Sequence, residues 1–196
     1  MSGNHASSPV AARVRHVEAL LEGRGLLEPH EIDERIDALA AGGTPANGAA
    51  LVARAWIDPA FRERLLADGN AAITELGFSM GGALQEQKLT VVANDAGEHH
   101  VIVCTLCSCY PIALLGPSPG WYKSEAYRSR VVRDPRGVLR EFGLELPAST
   151  SIAVWDASAE SRYMVLPRRP AGTDGLAEDE LAALVTRKGL IGTAAV

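Results

Sequence analysis

The chain has few of the features that would place it in a membrane or on a nucleic acid. No apolar run approaches the roughly 20 residues that a membrane-spanning helix needs, and the first nine residues lack the apolar stretch of a secretion signal. Basic residues do not dominate: 19 Lys and Arg stand against 24 Asp and Glu, for a net charge of -5 at pH 7. We therefore expect no nucleic-acid partner, no membrane partner and a cytoplasmic location.

Cysteine is equally scarce, and its distribution is informative. All three cysteines lie within Cys104–Cys109, in the pattern C-x-x-C-x-C. So few thiols exclude a disulfide framework, and a bridge within this stretch would close a very short ring. The preceding residues, His99–Val103, include a β-branched apolar run, which indicates a buried strand that ends where Cys104 begins a turn. This arrangement favours a metal-binding loop.

Three thiolates on one short loop favour some metals over others. A structural zinc site usually has four side-chain ligands in two separated pairs, and here the fourth could only be His99, His100 or a remote residue. Thiolates, with backbone nitrogens between Cys107 and Cys109, suit a low-spin transition ion with an open position. A non-catalytic zinc or redox module is the alternative from a different functional class. Because the two histidines alternate faces of a strand, we expect one of them to be buried and hydrogen-bonded.

The rest of the chain predicts one domain behind a helical arm. With 196 residues, 47% of them apolar, it is long enough to bury a sizeable core. Apolar residues recur at helical spacing over residues 10–22 and from Ile32 to Leu39, before a linker rich in small residues. We assign residues 1–48 to a helical N-terminal arm and linker, and residues 49–196 to a metal-binding catalytic domain.

Helices and strands of this domain are predicted in segregated runs, which is typical of the α+β class. Helices are expected over residues 49–75, with a new start at Asp58-Pro59, and over 135–143 and 178–186. Two strand pairs of sequence neighbours are expected, at 89–92 with 99–103 and at 152–155 with 162–166. A turn signal at residues 94–97 separates the strands of the first pair.

The loop V-C-T-L-C-S-C-Y, residues 103–110, resembles the claw motif of nitrile hydratase α subunits and of the related metal subunit of thiocyanate hydrolase. Other stretches follow the family's order and spacing over roughly residues 49 to 193, among them A-W-I-D-P-A-F from Ala55, Y-R-S-R-V-V-R from Tyr127, V-W-D from Val154 and R-P-A-G-T from Arg169. The resemblance implies a layered α-β-β-α fold and a lyase that hydrates a nitrile to an amide. A thiocyanate hydrolase is the nearest enzymatic alternative.

The resemblance also implies a specific ligand set. Cys104 would be the axial thiolate, Cys107 and Cys109 the equatorial sulfurs, and the deprotonated backbone amides of Ser108 and Cys109 would complete the plane. Cys107 would be oxidised to a sulfinate and Cys109 to a sulfenate, whose oxygen is one candidate nucleophile. Threonine at the second motif position, here Thr105, accompanies cobalt in this family and serine accompanies iron. Non-corrin Co(3+) is therefore the expected cofactor, with Fe(3+) as the alternative.

Two positions outside the cysteines are implied for the substrate pocket. Gln85 lies in A-L-Q-E, where the family usually has L-Q-G-E with its glutamine directed toward the metal pocket. Together with Cys109 and the hydroxyl of Ser108, Gln85 completes the candidate catalytic set. Ile112 stands where the family usually has tryptophan, so we expect a wider pocket for a bulky nitrile, as in the forms that act on toyocamycin. The alternative is that a partner side chain fills this space.

The resemblance also implies two protein partners. One is a β subunit, present as one chain or split into two, that supplies further pocket residues and contacts the N-terminal arm. The other is a small activator protein that delivers cobalt. A basic cluster is either part of the β interface or a solvated face; it comprises Arg128, Arg130, Arg133 and Arg136.

Overall fold

A computed structural model describes residues 9–81, 87–107 and 109–196 of the chain. Contacts divide it into two units, the first ending at Ala41 and the second running from Gly42 to Val196. The first unit contains the expected helices, α1 (Pro9–Glu22) and all but the last residue of α2 (Glu31–Gly42). None of the residues of α1 is buried, and the side chain of Leu39 lies outside the described part. Within the described ranges, no helix combines the length and apolarity required for a membrane span.

The second unit starts with three consecutive helices, α3 (Pro45–Ile57), α4 (Pro59–Ala67) and α5 (Gly69–Thr74). Each begins at a capping residue, because the side chains of Thr44, Asp58 and Asp68 accept hydrogen bonds from the first helical turn. Only Gly43 and Thr44 separate α2 from α3, so the linker is shorter than the sequence indicates. The expected new start at Asp58-Pro59 is confirmed, and a second one occurs at Asp68.

Four strands follow the predicted positions, but they do not pair as predicted. They are β1 (Lys88–Ala93), β2 (Glu98–Val103), β3 (Ser151–Asp156) and β4 (Ser161–Leu166). Instead of joining sequence neighbours, β1 pairs in parallel with β4 and β2 in parallel with β3. The reason is burial: every residue of β2 after Glu98 is buried, and strands covered on both faces are typical of parallel pairing inside a layered fold.

The remaining helices of the described chain are short. They are α6 (Ile112–Leu115), a 3-10 helix (Gly120–Lys123), α7 (Glu125–Val131), α8 (Pro135–Glu141), α9 (Glu178–Leu184) and α10 (Arg187–Ile191). Helices α4 and α5 pack on β1, β2 contacts both β1 and β4, and α8 packs on β3. This order of contacts gives the layers α-β-β-α, and it confirms the predicted α+β class.

The parallel pairing of β2 with β3 places the metal loop. In this register Val103, the last residue of β2, lies opposite Asp156, the last residue of β3. The amide of Ala157 then donates to the carbonyl oxygen of Val103 over 2.7 Å. The cysteine stretch therefore begins where both strands end, at the C-terminal end of the β2–β3 sheet.

Candidate metal centre

The loop from Cys104 to Cys109 carries its sulfurs from the buried strand end to the protein surface. Cys104 is fully buried, Cys109 is half-buried and Cys107 is exposed. Leu106, at the tip of the loop, has 88% of its surface exposed. A sharp turn at the end of a strand produces this gradient, because the first cysteine still belongs to the core and the later ones do not.

The three sulfurs converge without forming a disulfide. Sγ of Cys107 lies 3.4 Å from that of Cys104 and 3.2 Å from that of Cys109, and the three sulfurs lie within 4.8 Å of one another. Sulfurs that bind one ion at about 2.3 Å are about 3.3 Å apart for a 90° angle and about 3.8 Å apart for a tetrahedral angle. The two observed spacings therefore suit neighbouring positions of an octahedral or square-planar ion.

No fourth protein ligand joins this cluster among the His, Cys, Asp and Glu side chains of residues 9–81, 87–107 and 109–196. His99 contacts the carbonyl oxygen of Gly192 through Nε2, and His100 accepts a hydrogen bond at Nδ1 from the indole of Trp155. The sequence predicted that one histidine would be buried. Instead both are, with exposed fractions of 6% and 7%, because β2 is covered on both faces. The described residues thus offer a three-sulfur site and not a closed four-ligand zinc site.

Three side chains from other elements hold the backbone of the loop. Asp156 accepts from the amide of Thr105 over 2.9 Å and from its hydroxyl over 2.6 Å. Arg128 of α7 donates from Nη1 to the carbonyl oxygens of Thr105 and Cys107, over 3.3 and 3.2 Å. Tyr122 donates its hydroxyl hydrogen to the carbonyl oxygen of Cys109 over 3.0 Å. The loop is therefore positioned by groups that belong to the packed elements around it.

Sequence reasoning did not identify these three residues as parts of the site. Asp156 and Arg128 belong to stretches that carried the resemblance, and Arg128 was also grouped with the basic cluster. That cluster divides in the structure: Arg130 pairs with Glu141, and Arg136 donates to three backbone carbonyls. Pairing of β2 with β3 is the signal that would have identified Asp156, and the spacing of residues along the chain does not contain it.

Burial affects the protonation of the Cys109 thiol and the Tyr122 hydroxyl. Desolvation, followed by a hydrogen bond with Cys107, raises the pKa of Cys109 to about 12. Burial likewise raises the pKa of the Tyr122 hydroxyl, which keeps it a donor to the loop. A cation that binds here must displace thiol protons, because thiolates and not thiols are metal ligands. Metal binding at this site is therefore coupled to the release of thiol protons.

The other predicted site residues are placed as follows. Ser108 and Gln85 lie outside the described residues. Ile112 is the first residue of α6 and is 36% exposed. A Cβ on Gly43 would collide with the carbonyl oxygen of Ile112, so the backbone before α3 lies directly against α6. Among the described residues, a cavity of about 590 Å³ lies elsewhere, lined by residues 66–70 and 87–90 and by none of the cysteines.

Comparison with known proteins assigns the whole chain to one family. The family model described as nitrile hydratase, alpha chain, matches residues 8–194. The cobalt-containing nitrile hydratase subunit alpha of Pseudonocardia thermophila is 49% identical over 192 residues, which are 97% of this chain and 93% of that protein. Subunit gamma of thiocyanate hydrolase from Thiobacillus thioparus is 47% identical over 158 residues, 76% of this chain and 65% of that protein.

A solved structure shows the same fold. A variant of the Fe-type nitrile hydratase from Comamonas testosteroni Ni1 superposes with a TM-score of 0.89 at 43% sequence identity, covering 99% of this chain and 92% of that one. The family match spans nearly the whole chain, and the three-sulfur loop lies at the end of β2. The chain belongs to the nitrile hydratase α-chain family.

Proposed function

We propose that the chain is the cobalt-bearing α subunit of a nitrile hydratase, which hydrates a nitrile to the corresponding amide. The observation that supports this most directly is the cluster of three cysteine sulfurs at the end of β2, in a chain 49% identical to a cobalt-containing α subunit. Thr105 occupies the motif position that accompanies cobalt. Non-corrin Co(3+) is thus the cofactor of the proposal, with Fe(3+) as the alternative.

In this proposal the sulfurs of Cys104, Cys107 and Cys109 hold the ion, together with the backbone nitrogens of Ser108 and Cys109. When bound, a trivalent ion supplies Lewis acidity that makes the nitrile carbon more electrophilic. The chain keeps the ligands in place through Asp156, Arg128 and Tyr122. Water oxygen adds to the carbon and its protons pass to nitrogen, so the conversion to an amide consumes no electrons.

The resemblance adds further roles to the proposal. Cys107 is assigned as a sulfinate and Cys109 as a sulfenate, whose oxygens would accept hydrogen bonds from water in the substrate pocket. The hydroxyl of Ser108 and the amide of Gln85 are assigned to the same pocket as hydrogen-bonding groups. Mass spectrometry of the peptide containing residues 104–109 measures the oxygens added to each cysteine.

A partner subunit is expected to complete this pocket. Leu106 is 88% exposed beside the exposed Cys107, so this part of the loop is accessible to another protein. We propose a β subunit there, as one chain or split into two, and an activator protein that delivers the cobalt. Three cysteines that form no disulfide agree with the reducing cytoplasm as the location.

The substrate of the proposal is a bulky nitrile of the toyocamycin type. Ile112 is smaller than the tryptophan usual in the family and is partly exposed at the start of α6. Ile112→Trp should reduce kcat/KM for bulky nitriles by about 10-fold or more and for small ones much less, because one methylene of pocket volume is worth about 1–3 kcal/mol. Val132→Trp, at the exposed end of α7, is the control. Equal losses for both substrate classes would contradict the pocket argument.

Metal analysis of cobalt-grown protein, together with an absorption spectrum and substrate assays, tests the function. Near-stoichiometric cobalt, a sulfur-to-metal charge-transfer band and conversion of nitriles to amides are the expected results. The identity to a thiocyanate hydrolase subunit supports that enzyme as the second candidate, and hydrolysis of thiocyanate in preference to nitriles would favour it. Zinc with unoxidised cysteines, when partner and activator are co-produced, would contradict both.

A further inference from the structure

The side chain of Arg128 reaches the metal loop from a different element. It projects from α7 and is half-buried, and its Nη1 donates to two carbonyl oxygens of the loop, those of Thr105 and Cys107. Arg130, two residues further along the same helix, points elsewhere and forms an exposed pair with Glu141. Of these two neighbouring arginines, only Arg128 is directed at the cysteines.

The contact with Cys107 matters because of the peptide unit to which its carbonyl belongs. That carbonyl carbon is bonded to the nitrogen of Ser108, which the proposed function assigns as a metal ligand. A peptide unit is planar, and in its trans form the carbonyl oxygen and the atom bound to the nitrogen in place of its hydrogen point to opposite sides. A guanidinium that fixes the oxygen therefore also fixes the plane containing the nitrogen.

The positive charge of Arg128 also favours a role in holding the metal ligands. Three anionic cysteine sulfur ligands and two deprotonated backbone nitrogens would bring several negative charges to one short loop, and some of the charge on an amide nitrogen is shared by its carbonyl oxygen. The positive guanidinium of Arg128 contacts that oxygen. Its Nε is buried and has no hydrogen-bond partner within the described ranges, an arrangement that is unfavourable for stability and needs another explanation.

Arg128 acts together with Asp156 on opposite ends of one residue. Asp156 holds the amide and the hydroxyl of Thr105, and Arg128 holds its carbonyl oxygen. The first turn of the loop is thus fixed by an anion on its donors and a cation on its acceptors. Both groups come from elements of the packed second unit, so the loop inherits their rigidity.

We propose that Arg128 is a positioning residue of the metal centre, which orients the peptide between Cys107 and Ser108 and compensates the negative charge of the ligand set. The proposal rests on the proposed function, since it assumes that the loop binds a trivalent ion. Groups that orient metal ligands typically change metal affinity by about 10- to 100-fold when they are removed.

The test compares Arg128→Gln, Arg128→Lys and the control Arg130→Gln with the unmodified full-length chain, each produced with its β subunit in cobalt-supplemented cells. Cobalt content, the charge-transfer band and the rate of cobalt release to a chelator are measured. Arg128→Gln should release cobalt about 10- to 100-fold faster and shift the band. Arg128→Lys should be intermediate, because an ammonium keeps the charge but not the geometry. Arg130→Gln should match the unmodified chain.

The results distinguish a failure of the proposed function from a failure of the proposed role of Arg128. If the unmodified chain retains neither cobalt nor iron, the proposed function fails. If it retains cobalt and Arg128→Gln releases the metal at the same rate, the role of Arg128 is wrong. Should Arg128→Gln not fold, Arg128→Lys decides, and an unchanged release rate and band would overturn the proposal. Equal losses of Tm with and without cobalt, and no change in the release rate, would also overturn it.

Discussion

The two ends of β2 carry the residue types that bind metals, yet they are built in opposite ways. At the N-terminal end, His99 and His100 are buried and each has a hydrogen-bond partner within the protein. At the C-terminal end, the sulfurs of Cys107 and Cys109 reach the surface and lie against each other and the sulfur of Cys104. One strand thus has a structural end and a reactive end.

The two ends of β2 differ in which groups take up the hydrogen-bonding capacity of the protein. The imidazoles are used by the carbonyl oxygen of Gly192 and the indole of Trp155, so neither ring directs a nitrogen lone pair at an ion. Around the thiols, the protein instead satisfies the backbone of the loop through Arg128 and Asp156 and leaves the sulfurs close together. Residue type alone does not make a metal site, since the surrounding hydrogen bonds decide which groups remain available.

The largest effect on metal binding is expected from removing one sulfur. We expect Cys107→Ser to weaken cobalt retention by at least about 100-fold, because losing a ligand exceeds the 10- to 100-fold effect of losing a group that orients one. Metal analysis after gel filtration measures this. The matched change at the other end, His100→Gln, should retain the cobalt. Stoichiometric cobalt in Cys107→Ser would contradict the assignment of the ligands.

A smaller loss is expected for Asp156→Asn. Asparagine keeps one acceptor but replaces the other with a donor, so it cannot accept from both the amide and the hydroxyl of Thr105 through separate oxygens. Chelator-induced release of cobalt should become about 10-fold faster or more. Asp95 offers a matched control at the opposite end of β2, where its carboxylate accepts from the amides of Gly97 and Glu98.

For Asp95→Asn we expect little loss of stability, because Oδ1 accepts both bonds and asparagine keeps that oxygen, and we expect no faster release of cobalt. Denaturant unfolding measures the first quantity and the chelator assay the second. Similar effects of both changes on cobalt release would mean that Asp156 supports only the fold. The role of Asp156 in holding the metal loop would then be wrong.

Much of this comparison could be predicted from the sequence, but not its causes. The spacing of the cysteines and the preceding apolar run indicated a metal loop at a strand end, and turn and capping residues indicated the helices. Strand pairing was predicted wrongly, because a turn signal at 94–97 does not reveal that β1 and β2 join different partners. Arg128 and Asp156 lie far from the loop along the chain, so the spacing of the cysteines does not predict their contacts with it.

The histidines show the same limit. Alternation along a strand predicted one buried histidine, whereas both are buried because β2 is covered on both faces. The interpretation of Gln85 and Ser108 stays a prediction, since both lie outside the described residues. Periodicity and motif spacing therefore did not determine the strand pairing or the burial of the histidines, which depend on the order of the layers and on long-range contacts.

The smallest expected effect concerns the structural end of β2. Asn94 accepts at Oδ1 from the amide of His100, so its Nδ2 faces Nδ1 of His99 at 3.1 Å. Nδ1 of His99 must then accept, and Nε2 donates to the carbonyl oxygen of Gly192 over 2.7 Å. A second proton on this ring would face a donor. Burial, the largest cause, accordingly lowers the pKa of His99.

Because the pKa of His99 is lower in the folded chain, the unfolded chain binds more protons once the pH falls below about 6.5. The free energy of unfolding should therefore be unaffected by His99 above about pH 7.5 and decrease below 6.5, by at most about 1.4 kcal/mol per pH unit. Denaturant unfolding at several pH values measures the slope, and His99→Gln should remove the part due to this ring. An identical slope in His99→Gln would show that the ring protonates equally well in the folded and unfolded chain. The assignment of His99 as a neutral, hydrogen-bonded residue at the structural end of β2 would then be wrong.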